Sequence, residues 1–233
     1  MLMKNNLSVY RFFSLISKLL KFKKKIQFYN SAQYWNDRYA VGGNSGAGSY
    51  GRLAKFKAEI LNDFVKKNHI SSVVEYGCGD GSQLSLADYD HYVGFDVALS
   101  ALKICRKKFS HKEEHYEFHE ASVIHPKEGS FDLAISLDVI YHLIEDDVFD
   151  NYMNRLFTSS KKYVIIYAYN FDKFYKSPHE RGREFLNWCH NNLSDWKLIK
   201  VIKNRYPYDE KNSNNTSQSD FFIFEKIKSP DNT

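Results

Sequence analysis

The sequence predicts an α/β fold built on a parallel sheet, and three observations carry that prediction. The apolar run Val73-Val74-Glu75-Tyr76 ends in a glycine-rich turn, Gly77-Cys78-Gly79-Asp80-Gly81. About twenty residues later a second apolar run, Gly94-Phe95-Asp96-Val97, ends in another acid, the layout of a nucleotide cradle at the edge of a parallel sheet. Phe131 to Leu137 is almost continuously apolar, as expected of a strand buried on both faces. Glycines let the backbone pass close to a ligand and take positive φ where needed. An acid at the end of the second strand can accept both hydroxyls of a ribose.

The other elements follow in order. Leu53 to Lys67 reads as an amphipathic helix, with Leu53, Phe56, Ile60, Leu61, Phe64 and Val65 on one face. Ser71 to Tyr76 is the first strand, Ser82 to Leu86 opens a helix, and His91 to Asp96 is the second strand. Ala98 to Phe109 is a helix with Leu99, Leu102, Ile104 and Cys105 as its apolar stripe, and His115 to His119 is a short third strand. After the fourth strand, Phe131 to Leu137, come a helix over Asp147 to Phe157 and a fifth strand, Lys162 to Tyr169, with the β-branched core Val164-Ile165-Ile166. A helix over Arg181 to Asn191 precedes two strands, Trp196 to Lys203 and Asp220 to Ile227. The polar segment between those strands, Tyr206 to Ser219, is expected to be a mobile loop.

Composition bounds the rest. At 233 residues, 43% hydrophobic and 16% aromatic, the chain suits one folded domain with an appendage rather than a disordered protein. Cys78, Cys105 and Cys189 are the only cysteines, without a C-x-x-C pair, which excludes a disulfide framework and a zinc pattern and fits a reducing cytoplasm. The net charge of +5 is concentrated in Lys4, Arg11, Lys18, Lys21, Lys23, Lys24 and Lys25, and the remainder is close to neutral. That body argues against a nucleic-acid groove. Residues 1–28 read as a basic amphipathic helix, with polar breaks that fit neither a membrane span nor a signal peptide. Two uses suit it: packing on its own domain or a dimer partner, or resting on an anionic membrane surface at the inner membrane face. Residues 29–52 form an aromatic and glycine-rich segment, 53–228 the main domain and 229–233 a tail.

The glycine spacing discriminates between ligands. A dinucleotide turn wants G-x-G-x-x-G, but Ser82 stands where its third glycine belongs. Glu75 and Asp80 would repel a pyrophosphate and suit an ammonium and a sulfonium. With its E-x-G-C-G-x-G turn, the chain resembles the class I S-adenosylmethionine-dependent methyltransferases over roughly residues 70 to 170. The resemblance implies a Rossmann-like, seven-stranded, mostly parallel sheet with helices on both faces and a C-terminal antiparallel β-hairpin. It implies S-adenosylmethionine as cofactor, S-adenosylhomocysteine as product, and no metal.

The resemblance also implies a cofactor seat. Glu75 and Asp80 face the amino end, Gly77, Cys78 and Gly79 pass beneath the methionine and ribose, Asp96 takes the ribose hydroxyls, and Val97 lies against the adenine. Glu120, Ala121 and Ser122 match loosely the acid and small residue beside the adenine amine, and Leu137 ends the fourth strand beneath the cofactor. Tyr34-Trp35-Asn36-Asp37-Arg38-Tyr39, ahead of a loop with Gly42, Gly43, Gly46, Gly48 and Gly51, looks like the N-terminal cap of small-molecule methyltransferases, with Tyr34 and Arg38 as contacts and Arg38 on the carboxylate. The alternative is a mobile linker.

The end of the fourth strand offers Asp138, Tyr141 and His142, in a stretch resembling the S-x-x-V-x-x-H-L of small-molecule methyltransferases. It lacks the Asn/Asp-Pro-Pro-aromatic motif that grips a flipped base, and the Pro-Cys nucleophile. His142 is the first choice for a general base, because imidazole titrates near neutrality, and Asp138 is the second. Tyr167, Tyr169, Asn170, His179 and Arg181 follow the fifth strand, where acceptors commonly sit; the tyrosines and asparagine suit a polyol, His179 and Arg181 a phosphate. The expected reaction is O-methylation of a small molecule or glycan precursor, as in bacterial capsular polysaccharide pathways. A phosphoramidate- or phosphate-bearing acceptor, and a non-catalytic cofactor-binding protein, stay open.

Overall fold

The computed structural model describes residues 26–123, 126–175 and 177–227. The basic segment expected to form a helix, apart from residues 26–28, and the tail lie outside them.

The chain enters through α1 (Ser31–Ala40), capped by the Asn30 side chain on Gln33 N. Helix α2 (Gly51–Lys67) follows a short 3-10 turn at Ala47–Ser49. Then come β1 (Ser72–Tyr76), β2 (His91–Asp96), α3 (Leu99–Lys108), β3 (Tyr116–Glu120), β4 (Phe131–Leu137), α4 (Asp146–Thr158) and β5 (Ser160–Ala168). A two-stranded ribbon, β6 (Lys173–Phe174) with β7 (Arg181–Gly182), leads into α5 (Phe185–Asn192), β8 (Trp196–Ile202) and β9 (Asp220–Lys226). The main sheet has seven strands in the order β3-β2-β1-β4-β5-β9-β8. Its first five strands are parallel, and β9 pairs antiparallel with both β5 and β8. The Rossmann-like sheet with a C-terminal hairpin is therefore the one the sequence predicts.

The period of two along each strand gives two cores. Val73, Leu133, Ile135 and Ile165 pack under Phe56, Leu61 and Val65 of α2 and Leu102 and Cys105 of α3. Val74, Tyr76, Ala134, Val164 and Ile166 pack under Phe149, Met153, Leu156 and Phe157 of α4 and Phe185 of α5. Burying each large apolar side chain contributes about 1.5–3 kcal/mol, so these faces fix the register. No helix among the described residues is long and apolar enough to cross a membrane.

Three local expectations are corrected. The helix expected to open at Ser82 is a single 3-10 turn, Leu84–Leu86. Asn62 of α2 holds its end, donating to Leu86 O and accepting from Asp88 N, and Tyr89 is buried at once. The helix expected from Arg181 starts at Phe185, because Gly182 is paired with Lys173 and a Cβ there would lie 2.6 Å from Phe171 O. The segment Tyr206 to Ser219 is tied down rather than free: it carries a kinked 3-10 stretch, Glu210–Asn215, buries Thr216, and receives Arg52 Nε at Asn215 O.

Candidate functional site

The C-terminal ends of the parallel strands open into a cavity of about 670 Å³. Open parallel sheets bind ligands at this edge, where strand order reverses between β1 and β4.

The cradle is backbone. Gly77 N and Cys78 N both donate to Phe95 O, at 2.7 and 3.0 Å, which folds the turn back against β2. Gly77 has φ +85°, and a Cβ there would run into Val139 Cγ2. Gly79 has φ +56°, and its Cβ would meet the hydroxyls of Ser45 and Tyr39. Only glycine fits both positions. Asp96 accepts from Gly79 N and from Ala98 N, each at 2.8 Å, so it clamps the turn to the end of β2. Burial raises its carboxyl to about 6 against these bonds. Glu75 is buried, accepts from Tyr92 Oη at 2.6 Å, and is raised by burial to about 7, with Tyr92 and Lys57 pulling it down.

Of the sequence-predicted cofactor residues, Glu75, Gly77, Cys78, Gly79, Asp96, Val97, Ala121, Ser122 and Leu137 line the cavity. Glu120 does not line it and accepts from Ser122 Oγ instead. Asp80 is spent on the loop above: it accepts from Ser45 N at 3.2 Å, Tyr50 Oη at 2.7 Å and Ser82 N at 2.9 Å. Burial pushes its carboxyl up, but these bonds outweigh that and hold it below the usual aspartate range. Ser45 Oγ in turn accepts from Asp80 N, which pins the glycine-rich loop to the cradle.

Helix α1 closes one side. Ser31 is bonded through N and Oγ to Glu145, and Asn36 donates to Val97 O. This presents Trp35 and Tyr39 to the cavity. Tyr34 and Arg38 do not line it. The Arg38 guanidinium donates to Asn44 O at 2.9 Å and Tyr34 Oη at 3.3 Å and lies over Trp35. Tyr34 stacks on His179 with ring centroids 4.1 Å apart. Both residues brace the cap from outside.

Beyond β4 the site is made of side chains. Asp138 has φ +59°, in the left-handed region that aspartate tolerates better than most residues. Its carboxylate receives Lys57 Nζ at 2.8 Å, Tyr141 Oη at 3.0 Å and Ser219 Oγ at 3.1 Å. Lys57 is 1% exposed and lines the cavity beside it. His142 also lines the cavity, edge-on to Trp35. Its Nδ1 lies 2.9 Å from His179 O. A carbonyl only accepts, so Nδ1 carries the proton and Nε2 is left as a base. Burial lowers the imidazole to about 4, with the His179 carbonyl opposing, so the ring is neutral at physiological pH but a weaker base than the near-neutral imidazole the sequence suggests.

Tyr141, Tyr167, Tyr169, Asn170, His179 and Arg181 form a layer behind these groups rather than the cavity wall. Tyr141 stacks on Tyr169, and Tyr167 Oη accepts from Asn204 under the Lys57 ammonium. Asn170 Oδ1 caps α5 at Leu186 N, and Arg181 is held by Ile144 O and Asp146. The sequence reading passed over Lys57, Trp35, Gln83, Glu145 and Arg155, all of which line the cavity. For Lys57 a signal was present: 53, 57, 61 and 65 fall on one stripe of α2, where a lysine among apolar residues calls for a buried partner.

The arrangement fits the expected cofactor: a backbone cradle too tight for a Cβ, carboxylates facing it, and a buried acceptor without a partner among the described residues, Gln83 Oε1. Among the described residues no group of three or more His, Cys, Asp or Glu side chains is placed to hold a metal ion.

Residues 73–162, from β1 into β5, match the family model of a methyltransferase domain. No curated protein matches the sequence. Among solved structures the chain is similar to the N-methyltransferase NodS from Bradyrhizobium japonicum WM9 in complex with S-adenosyl-L-homocysteine, at 12% identity over 85% of this chain and 100% of that one, with a TM-score of 0.67. It is similar to the magnesium protoporphyrin IX methyltransferase ChlM from Synechocystis PCC 6803 with bound SAM, at 13% identity over 85% of this chain and 98% of that one, TM-score 0.58. It is similar to the methyltransferase domain of bacterial CtHen1-C, at 19% identity over 74% of this chain and 97% of that one, TM-score 0.56. At these identities the likeness is one of fold.

Proposed function

We propose that the chain is a class I S-adenosylmethionine-dependent methyltransferase, a reading supported by the methyltransferase-domain match over residues 73–162 and by the shared fold, and that it methylates a hydroxyl of a small polar acceptor, a sugar or glycan precursor such as those of capsular polysaccharide synthesis. The observation that carries the reading is His142. Its ring is neutral, its tautomer is set by His179 O, and it stands in the cavity wall at the end of β4. The cofactor supplies a methyl group already activated by its sulfonium. The chain has to align the acceptor oxygen and remove its proton, and general-base removal contributes typically 10²–10⁴-fold. Trp35, edge-on to His142, offers an aromatic wall to the acceptor. Asp138, already bonded to Lys57, Tyr141 and Ser219, serves as an orienting group rather than the base.

One observation favours an amine acceptor as a second reading. Asp147 lines the cavity beside Glu145, whose carboxylate is bonded to Ser31, an acidic border suited to a cation, and NodS is named as an N-methyltransferase. A phosphate-bearing acceptor loses its expected residues, since Arg181 is committed to Asp146 and Ile144 O and His179 is stacked on Tyr34.

The test is methyl transfer from S-adenosylmethionine to a panel of nucleotide sugars, free sugars and amino sugars, with wild type and His142→Asn. Turnover on hydroxyl acceptors should fall about 10²–10³-fold in the variant with cofactor affinity unchanged. Turnover confined to amines would replace the first reading by the second, and an undiminished rate would remove His142 from the chemistry.

A further inference from the structure

The cavity has two ends. Adjacent strands β3, β2, β1 and β4 set the direction. Val97, Ala121 and Ser122 lie at the β2–β3 end, the side expected for the adenine, with Asp96 at the ribose. What extends from the ribose away from the base must therefore run past the cradle toward β4. Lys57, bonded to Asp138 at the end of β4, lines the cavity there, and Gln83 lines it beside α2.

Lys57 is 1% exposed, and its only hydrogen-bond partner among the described residues is Asp138 Oδ2. An ammonium carries three donors. Nζ also lies 5.1 Å from the centroid of the Tyr167 ring, its charge acts on the nearby Glu75 carboxyl, and the residue lines the cavity. Gln83, in the turn after β1, is 8% exposed, and its Nε2 donates to Ala54 O of α2 at 3.1 Å, one turn before Lys57. Its Oε1 is buried with no partner among the described residues, and the residue lines the same cavity. Buried polar atoms left unpaired are costly, and a ligand that supplies the missing partner recovers that cost. So the cavity wall holds a buried cation with one hydrogen-bond partner and, one turn away along α2, a buried acceptor lacking a donor. That is the complement of a zwitterion.

We infer that Lys57 and Gln83 form the subsite for the amino-acid end of the cofactor, Lys57 taking its carboxylate and Gln83 Oε1 its ammonium. Arg38, the sequence-based choice for the carboxylate, is occupied outside the cavity. The inference rests on the ribose lying at Asp96. An oxyanion at Lys57 has two sources, the cofactor carboxylate or an acid group on the acceptor, and the ligand series below separates them.

The experiment is calorimetric titration of the full chain with S-adenosylhomocysteine, its decarboxylated analogue and 5′-methylthioadenosine, which lacks the whole amino-acid end. Wild type should bind S-adenosylhomocysteine about tenfold or more tighter than the decarboxylated ligand, as expected of a charge-assisted hydrogen bond. Lys57→Met alone leaves the half-buried Asp138 without its counter-charge, so it is combined with Asp138→Asn. In that double variant the gap should close to about twofold, while Lys57→Arg should keep most of it. Gln83→Leu should weaken both ammonium-bearing ligands about fivefold and leave methylthioadenosine unchanged. Equal losses for all three ligands would mean that the two residues only hold the fold and would overturn the inference. A persistent gap in the double variant, with a raised acceptor KM, would overturn it in favour of an acidic acceptor. If wild type bound none of the three, the cofactor reading itself would fall, and this inference with it.

Discussion

The two ends of the cavity are built from different material. On the β1–β2 side the groups are backbone: Gly77 and Cys78 amides turned onto Phe95 O, and the Gly79 amide on Asp96. On the β4 side they are side chains that meet from distant parts of the chain, Lys57 with Asp138 across 81 residues and Trp35 edge-on to His142. A backbone-built end tolerates almost no added atom. A side-chain-built end responds in graded fashion, because each contact is one of several. The first end suits the adenosyl part of the cofactor, and on the inference above the second receives its amino-acid end.

The sharpest way to break that contrast is Gly77→Ala. The variant combines φ +85° with a clash on Val139. Strain of this kind costs on the order of 1–3 kcal/mol before the clash is counted, so Tm should drop by about 6–12 °C if the total is near 3 kcal/mol. S-adenosylhomocysteine binding should fall more than about 100-fold, since the cradle itself moves. Gly42→Ala is the control: its φ is +81°, yet nothing lies within 4 Å of the added Cβ. It should show strain alone, about 1 kcal/mol, with binding retained. Equal losses in both would show that close approach at the cradle is not what makes glycine necessary.

The next effect is a pH dependence that belongs to the cradle. Glu75 titrates at about 7 in the folded chain against 4.5 for an ordinary glutamate. The folded state therefore binds this proton more tightly than the unfolded state does. Glu75 thus makes apo stability fall as pH rises from about 4.5 to about 7, with no further change above. Ligand affinity runs the other way, because a cationic cofactor favours the ionised carboxylate. Its Kd should rise by up to about tenfold per unit below pH 7 and flatten above it. Glu75→Gln should remove both slopes, measured as Tm and Kd from pH 5 to 8. A slope in Kd unchanged in that variant would assign it to Asp96, which is raised to about 6.

The same division explains what could be read from the sequence. The fold and the cradle were legible because their determinants are local: an apolar run, a glycine turn and an acid at the strand end are consecutive letters. The alternation of strands and helices likewise needs only windows of about ten residues. His142 and Asp138 were legible as residue types at a strand end. Their partners were not: nothing near Asp138 in sequence announces Lys57, and nothing near His142 announces the His179 carbonyl that sets its tautomer. The aromatic and basic residues after β5 were read as acceptor contacts because their chemistry suits one. The ribbon of β6 and β7 turns Arg181 toward Asp146 and leaves Tyr169 stacked behind Tyr141, a placement set by tertiary contacts alone.

Asp80 is where the two readings differ most usefully, and its expected effect is the smallest. The sequence pairs it with the cofactor's amino end, while the structure spends its carboxylate on Ser45 N, Tyr50 Oη and Ser82 N. On the structural account Asp80 is a latch that holds residues 42–50 over the cradle, where Gly48 passes so close that a Cβ would lie 2.7 Å from Asp138 Oδ2. Asp80→Ala should then free the loop without emptying the site. Hydrogen exchange at Ser45 should speed up, while cofactor Kd should rise only about threefold, because the loop covers the ligand rather than grips it. A loss of about 100-fold with exchange unchanged would restore Asp80 to the cofactor's amino group. Loss of loop protection at nearly constant affinity would place the boundary between the two ends at Asp80 itself: its backbone belongs to the cradle, and its side chain to the cap.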